Sequence, residues 1–166
     1  MVEFRELKAQ YAALKPAVDG AVGAVLSSGR FIGGAPVAEL EGALADYVAV
    51  AHCLTCANGT DALELALLAW GVGEGDAVFV PDFTFFSSGE VVPLVGATPV
   101  FVDVDPATYN MDPASLRRAV AWVRENTGLA PKAVVAVDLF GLPADLPAIR
   151  EVCDGEGMFL LEDGAP

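Results

Sequence analysis

From residue 50 onward the chain alternates short apolar runs with longer stretches that have helical spacing. The helical stretches cover residues 60–70, 86–94, 113–125 and 145–154, and the apolar runs read "HCLTC", "AVFVP", "TPVFVDV", "KAVVAVDLF" and "GMFLLED". Strands that alternate with helices are typical of a sheet whose parallel strands are joined by crossover helices. The pattern therefore predicts an α/β fold of three αβα layers around a mostly parallel sheet.

The first 50 residues predict two further helices. One follows Pro16, which suits a first helical turn, and ends at Gly29; its apolar positions are Val18, Val22, Val25 and Leu26. The other follows the turn "FIGGAP" and carries the stripe Val37, Leu40, Leu44 and Tyr47. Later in the chain, Asp112 and Asp145 are each predicted to cap the helix that follows them.

Charge and hydropathy exclude two classes of partner. The net charge of −14 and the absence of a basic cluster argue against nucleic acid, whose phosphates would be repelled. Hydrophobic residues make up 54% of the chain, yet no apolar run reaches the ~20 residues of a membrane span. The start "MVEFRELKAQ" has no feature of a signal peptide, so we expect a cytoplasmic protein without a membrane partner.

Cysteine and histidine give no metal centre in this sequence. Cys53 and Cys56 form a Cys-x-x-Cys, but a zinc site would need a second pair, and a redox motif would need a helix starting at the first cysteine. The two are interpreted as small residues at the end of a strand spanning 50–55. His52 is the only histidine, which is too few for a metal cluster.

The first candidate site follows the predicted strand at 50–55. There Gly59, Thr60 and Asp61 open a helix, and exposed N–H groups, the helix dipole and a hydroxyl together suit a phosphate. The alternative is a plain helix cap, with Asn58 or Thr60 as the capping residue. The sequence has neither a P-loop nor the glycine fingerprint of a dinucleotide-binding Rossmann domain, which argues against a Rossmann-type reductase.

The second candidate is the aromatic segment "PDFTFFSS" after the strand "AVFVP". Phe85 points away from Phe83 and Phe86 if the segment is extended, and it could stack on a planar ring. Phe83 and Phe86 are predicted to belong to the core.

The third candidate is the acid pair Glu162 and Asp163, which ends the last strand. The carboxyl ends of parallel strands share one edge of a sheet, so one ligand could contact all three candidates. A ligand with a phosphate, a planar ring and a ring nitrogen that gains from a fixed carboxylate is pyridoxal 5'-phosphate. The alternative for the acid pair is a helix cap or an exposed pair.

Ordered blocks of the sequence resemble the DegT/DnrJ/EryC1/StrS sugar aminotransferases, which are fold-type-I pyridoxal phosphate enzymes. The blocks are "NGTDALELAL", "GDAVFVPDFTFFSS", "GATPVFVDVDPATYNMDP", "LFGLPADLPAI" and "LLEDGAP", preceded by the similar N-terminal "LKAQYAALKPAVDGAVGAVLSSGRFIGG". The resemblance covers essentially the whole chain.

The resemblance implies a cofactor, a reaction and a set of binding residues. Gly59, Thr60 and the backbone of Asp61 would hold the phosphate of pyridoxal 5'-phosphate, Phe85 would stack on its ring, and Asp163 would pair with the pyridine nitrogen. The implied reaction is ping-pong transamination between an amino-acid donor, usually glutamate, and a nucleotide-linked keto-sugar. The implied assembly is a homodimer.

Three departures from the family pattern qualify this assignment. Asp138 stands where the family usually has histidine, and Pro166 where it has glutamine or histidine. The lysine that forms the Schiff base is not present, since none of Lys8, Lys15 and Lys132 follows a strand end in a suitable block. Residues 1–166 are therefore expected to be N-terminal helices plus most of an incomplete large domain, without the C-terminal small domain and without a catalytic residue.

Two alternatives to an aminotransferase remain open at this point. A fragment or degenerate paralogue could bind a phosphate ligand or a partner subunit without catalysis. Some relatives carry histidine instead of the lysine and dehydrate sugars, and the chain could come from one of these.

Overall fold

The computed structural model describes residues 6–165. These residues fall into two compact units, the first ending at Thr55 and the second beginning at Cys56. Pro166, one of the departures noted above, lies outside the described residues. The first unit contains helices α1 (Leu7–Ser28) and α2 (Ala35–Val48). No helix among residues 6–165 is both long enough and apolar enough to cross a membrane.

Helix α1 begins earlier than the sequence predicted. Gly29 ends it in the left-handed conformation with φ 67°, as expected, but Pro16 lies inside the helix and not in its first turn. On the polar face of the helix, Tyr11 and Lys15 both donate hydrogen bonds to Asp19, at 2.7 and 2.5 Å. These contacts bridge the turn in which Pro16 contributes no N–H.

The predicted strand at 50–55 is wrong. Its residues join no sheet, and the N–H and hydroxyl of Thr55 both donate to Glu41 Oε1, at 2.8 and 2.9 Å. A strand exists only where a neighbouring backbone takes its N–H and C=O groups, and here a side chain of α2 takes the amide. The same two hydrogen bonds lower the pKa of Glu41.

The second unit alternates helices and strands as the sequence predicted. The helices are α3 (Gly59–Ala69), α4 (Phe86–Leu94), α5 (Pro113–Asn126) and α6 (Leu146–Glu156). The strands are β1 (Asp76–Pro81), β2 (Thr98–Val102), β3 (Ala130–Val137) and β4 (Phe159–Asp163), with a short 3₁₀ helix at Leu139–Gly141. Asp112 and Asp145 cap α5 and α6 through their carboxylates, which confirms both predicted caps.

The four strands form one parallel sheet in the order β2-β1-β3-β4. The chain passes from β1 to β2 on one side and then returns to β3 on the other side of β1. This reversal of strand order creates a crevice at the carboxyl edge, the edge where the strands end.

Helices cover both faces of this sheet, which confirms the three αβα layers. One cluster of buried residues joins the sheet to α5 and α6 and includes Phe79, Leu116 and Ile149. The other joins it to α3 and α4 and includes Leu67, Val78 and Val91. Strands buried on both faces account for the high apolar content of the sequence.

The prediction that Phe83 and Phe86 belong to the core is wrong. They are 49% and 75% exposed. Helix α4 begins at Phe86 and buries Ser87, Ser88, Val91 and Val92, so its helical spacing turns Phe86 to the other side.

Candidate active site

A cavity of about 340 Å³ lies at the carboxyl edge of the sheet in the second unit. Three parts of the chain line it: the start of α3, the start of α4 with the residue before it, and the end of β4. The lining residues are Gly59, Thr60, Leu63, Phe85, Ser87, Asp163 and Ala165. Four of the five residues singled out from the sequence therefore meet here, and Asp61 is not among them.

The start of α3 provides backbone donors to this cavity. Asn58 is the N-cap, and its Oδ1 accepts the N–H of Asp61 at 2.9 Å, so the predicted helix cap is present and the Asp61 N–H is already engaged. The N–H groups of Gly59 and Thr60 belong to the first turn and have no acceptor within the helix. Gly59 is also close to the end of β4, since a Cβ built on it would lie 3.7 Å from Ala165 Cβ.

Asp163, at the end of β4, supplies a buried carboxylate to the cavity. Its side chain is 7% exposed, and its two oxygens accept hydrogen bonds from Ser88 Oγ and from the N–H of Ala165, both at 3.2 Å. Because buried polar groups need hydrogen-bond partners, these two donors satisfy the carboxylate at this position. A carboxylate held in this way is suited to pair with a protonated ring nitrogen.

Phe85 forms a third wall. It is the residue before the first turn of α4, has an extended backbone with φ −69° and ψ 146°, and leaves 69% of its surface exposed. An exposed ring at a cavity wall can stack on a planar ligand, an interaction worth about 0.5–1.5 kcal/mol beyond its area.

Asp138 and Glu162 lie beside the cavity and not in its lining. Asp138 Oδ1 accepts the N–H of Ala144 at 2.9 Å, which closes the loop after β3. Partial burial raises the pKa of Glu162, and the neighbouring carboxyl of Asp138 raises this pKa further. The pair therefore resists carrying two negative charges.

Sequence reasoning missed two buried polar residues near this edge. Ser88 is fully buried and contacts Asp163. In the sequence its only distinguishing feature is its place in the first turn of a predicted helix. Asn110 is 4% exposed; its amide donates to the carbonyls of Leu142 and Pro143, and its Oδ1 accepts the Leu139 N–H. Nothing in the local sequence indicated that Asn110 holds the loop after β3.

No lysine of the second unit reaches the cavity. Lys132 is the only lysine in this unit, and it lies near the start of β3, at the edge opposite to the cavity. Its Nζ is 5.9 Å from the ring centroid of Phe159, the first residue of β4. Lys8 and Lys15 are on α1 in the first unit.

The model of the DegT/DnrJ/EryC1/StrS aminotransferase family matches residues 13–166. The chain belongs to this family. DegT/DnrJ/EryC1/StrS members with similar sequences include a UDP-2-acetamido-2-deoxy-3-oxo-D-glucuronate aminotransferase of Pseudomonas aeruginosa, which is 44% identical over 99% of this chain and 44% of its own length. The chain thus spans less than half the length of this relative.

Solved structures with similar sequences have the same fold. A DegT/DnrJ/EryC1/StrS aminotransferase from Brucella abortus superposes with a TM-score of 0.96 at 47% identity, covering 99% of this chain and 44% of the other. NtdA from Bacillus subtilis, solved with bound cofactor PMP, superposes with a TM-score of 0.80 at 28% identity, covering 87% of this chain and 32% of the other.

Proposed function

We propose that this chain holds the cofactor of a pyridoxal-phosphate-dependent aminotransferase that acts on a nucleotide-linked keto-sugar. The observation that carries the proposal is the single cavity lined by Gly59, Thr60, Phe85 and Asp163. The printed activity of the Pseudomonas aeruginosa relative, amino transfer on a UDP-linked 3-oxo sugar, supports the substrate class.

The residues present fit pyridoxal 5'-phosphate in three respects. The two first-turn N–H groups and the hydroxyl of Thr60 are donors at a helix N-terminus, where an anion is stabilised. Phe85 offers a flat apolar face, and Asp163 offers a fixed negative charge. When bound, the cofactor supplies an electron sink for the bond-breaking step at the substrate carbon.

Each of these residues has a separate task in the proposed mechanism. Gly59 and Thr60 would anchor the phosphate, Phe85 would stack on the ring, and Asp163 would hold a proton on the ring nitrogen. An amine for covalent catalysis is still required. Since Lys132 lies at the opposite edge, we propose that residues 1–166 act as N-terminal helices plus most of the large domain. The amine and a small domain would then belong to the part of the relatives' length that this chain does not span.

Titration of the chain with pyridoxal 5'-phosphate, followed by absorbance and calorimetry, tests cofactor binding. We expect saturable binding that inorganic phosphate competes with. Asp163→Asn should weaken it about tenfold or more, because hydrogen bonds between charged groups are worth about 1.5–3 kcal/mol. Asp154→Asn, on the exposed side of α6, is the matched control and should bind like wild type. Absence of saturable binding would overturn the proposal.

A non-catalytic binding role is the second candidate, and the position of Lys132 favours it for the isolated chain. Borohydride treatment of the chain with its cofactor, followed by mass spectrometry, distinguishes the two roles. Cofactor held without a covalent link is expected for residues 1–166 alone. An activity assay of a longer protein then tests the aminotransferase assignment, which requires that an amino sugar forms from glutamate and a nucleotide keto-sugar. Formation of a dehydrated sugar would identify a dehydratase instead.

A further inference from the structure

Two hydroxyl groups form a relay that ends on the carboxylate of Asp163. Thr84 Oγ1 lies 3.0 Å from Ser88 Oγ, which in turn lies 3.2 Å from Asp163 Oδ2. Ser88 is fully buried and Thr84 is half-buried. The relay connects positions 75 residues apart in the sequence, one on α4 and one at the end of β4.

The chemistry of the three groups fixes the direction of the relay. An ionised carboxylate only accepts, and a serine hydroxyl has a single proton to donate. Ser88 therefore donates to Asp163, which leaves Thr84 to donate to Ser88. Hydrogen bonds aligned in this way polarise one another, so the proton of Thr84 strengthens the contact that Ser88 makes with the carboxylate.

We infer that Ser88, supported by Thr84, is a positioning residue that sets the orientation of the Asp163 carboxylate toward the ring nitrogen of the cofactor. The inference rests on the proposed function. Since Ala165 N–H holds Oδ1 and Ser88 holds Oδ2, the carboxylate is fixed on both sides. Ser87, its neighbour, lines the cavity, whereas Ser88 is not in the lining and acts only through Asp163.

The burial of Ser88 argues against a purely structural role. It lies among Val91, Val92 and other apolar residues on the inner face of α4, where an alanine or valine would pack without a polar group to satisfy. The hydroxyl at this position has two partners, Thr84 and Asp163, and of these only Asp163 lines the cavity. Replacing Ser88 with alanine should leave the fold intact and change the orientation of the Asp163 carboxylate.

Binding of ring-¹⁵N-labelled pyridoxamine 5'-phosphate to the 166-residue chain tests this role without need of a lysine. Calorimetry gives the dissociation constant, and the ¹⁵N chemical shift reports whether the ring nitrogen is protonated. We expect Ser88→Ala to weaken binding about tenfold and to move the ¹⁵N shift toward that of the neutral ring. Ser88→Thr keeps the hydroxyl, so its dissociation constant and ¹⁵N shift should match those of wild type. Ser88→Cys has a weaker donor, so both values should lie between those of Ser88→Ala and wild type.

Ser115→Ala is the matched control. Ser115 is also buried, and its hydroxyl also donates to an aspartate at 3.2 Å, Asp103, but neither residue lines the cavity. This variant should match wild type in both readouts. Far-ultraviolet circular dichroism confirms the fold of each variant.

The outcomes separate the inference from the proposed function. If wild-type chain binds pyridoxamine 5'-phosphate and Ser88→Ala retains both the affinity and the ¹⁵N shift, the inference is overturned and the proposed function stands. If wild-type chain does not bind, the proposed function fails and the inference falls with it. A loss of affinity in Ser88→Ala without a change in ¹⁵N shift also overturns the positioning role.

Discussion

The main-chain N–H of Asp138 donates a 2.9 Å hydrogen bond to the main-chain oxygen of Asp163. In the ladder between β3 and β4, Val137, the last residue of β3, pairs with Asp163. The hydrogen bond from Asp138 extends this ladder by one residue. Asp138, where the resemblance to the family implies histidine, is thus hydrogen-bonded to the backbone of the residue that carries the buried carboxylate. Changes at Asp138 and at Asp163 are expected not to be independent.

Gly59→Ala should weaken phosphate binding without harming the fold. The new Cβ would lie 3.7 Å from Ala165 Cβ, an ordinary contact, and it would stand at the helix N-terminus where the proposed phosphate would bind. Alanine is favoured over glycine in a helix by up to about 1 kcal/mol, so thermal unfolding should occur at the same or a higher temperature. The dissociation constant for inorganic phosphate, measured by calorimetry, should rise several-fold; an unchanged constant would remove Gly59 from the phosphate site.

Phe85→Leu should weaken cofactor binding by about 2- to 12-fold, which corresponds to the loss of about 0.5–1.5 kcal/mol of ring stacking. Titration with pyridoxamine 5'-phosphate measures this loss. Phe86→Leu is the matched control, because Phe86 is the next residue, is also exposed and does not line the cavity. Equal effects of the two substitutions would contradict a stacking role for Phe85.

The acid pair beside the site predicts a pH dependence of stability. Burial and the Asp138 carboxyl raise the pKa of Glu162 in the folded chain, so the folded state binds more protons than the unfolded state above the usual carboxyl pKa. The free energy of unfolding should therefore fall as the pH rises from that value through the raised pKa of Glu162. Urea unfolding at a series of pH values measures this decline.

Glu162→Gln and Asp138→Asn should both flatten that decline, the first by removing the titrating group and the second by removing its charged neighbour. Glu151→Gln, an exposed acid on α6 that pairs with Arg117, provides the comparison. If the stability of Glu162→Gln still falls with pH as it does in wild type, another group causes the pH dependence.

Asn110→Ala should destabilise the second unit by about 1–3 kcal/mol, because it leaves the buried N–H of Leu139 without its acceptor. Chemical unfolding measures the change. Asn126→Ala removes a single exposed hydrogen bond, to the carbonyl of Trp122, and should cost less. Similar losses for both would mean that the loop after β3 does not depend on Asn110.

The sequence was sufficient to predict the elements whose cause is local or periodic. Strands buried on both faces appear as continuous apolar runs, and helix caps such as Asp112 and Asp145 act within three residues. The ends of β1 and β4 then indicated where Phe85 and Asp163 would meet, since parallel strands bring their carboxyl ends to one edge. Gly59 and Thr60 line the same cavity, although the strand predicted to precede them is not formed.

Elements that depend on distant partners could not be predicted in this way. The run at 50–55 has the composition of a strand, but it is not paired with a strand in the described residues, and Glu41 takes the Thr55 amide instead. The aromatic content of "DFTFF" gave no indication of which side of α4 each ring would occupy. Ser88 acquires its role from a residue 75 positions away, which no local pattern reveals.

Strand β4, which carries Asp163, lies at the border of the sheet in the order β2-β1-β3-β4. Among the described residues it is held by ladder hydrogen bonds on the β3 side alone, and the backbone groups on its other side face no strand. Amide protons along β4 should consequently exchange with solvent in an alternating fast and slow pattern. The backbone that carries the Asp163 carboxylate is therefore held by hydrogen bonds on one side and free to move on the other. A further strand that paired with the free side of β4 would make this backbone more rigid.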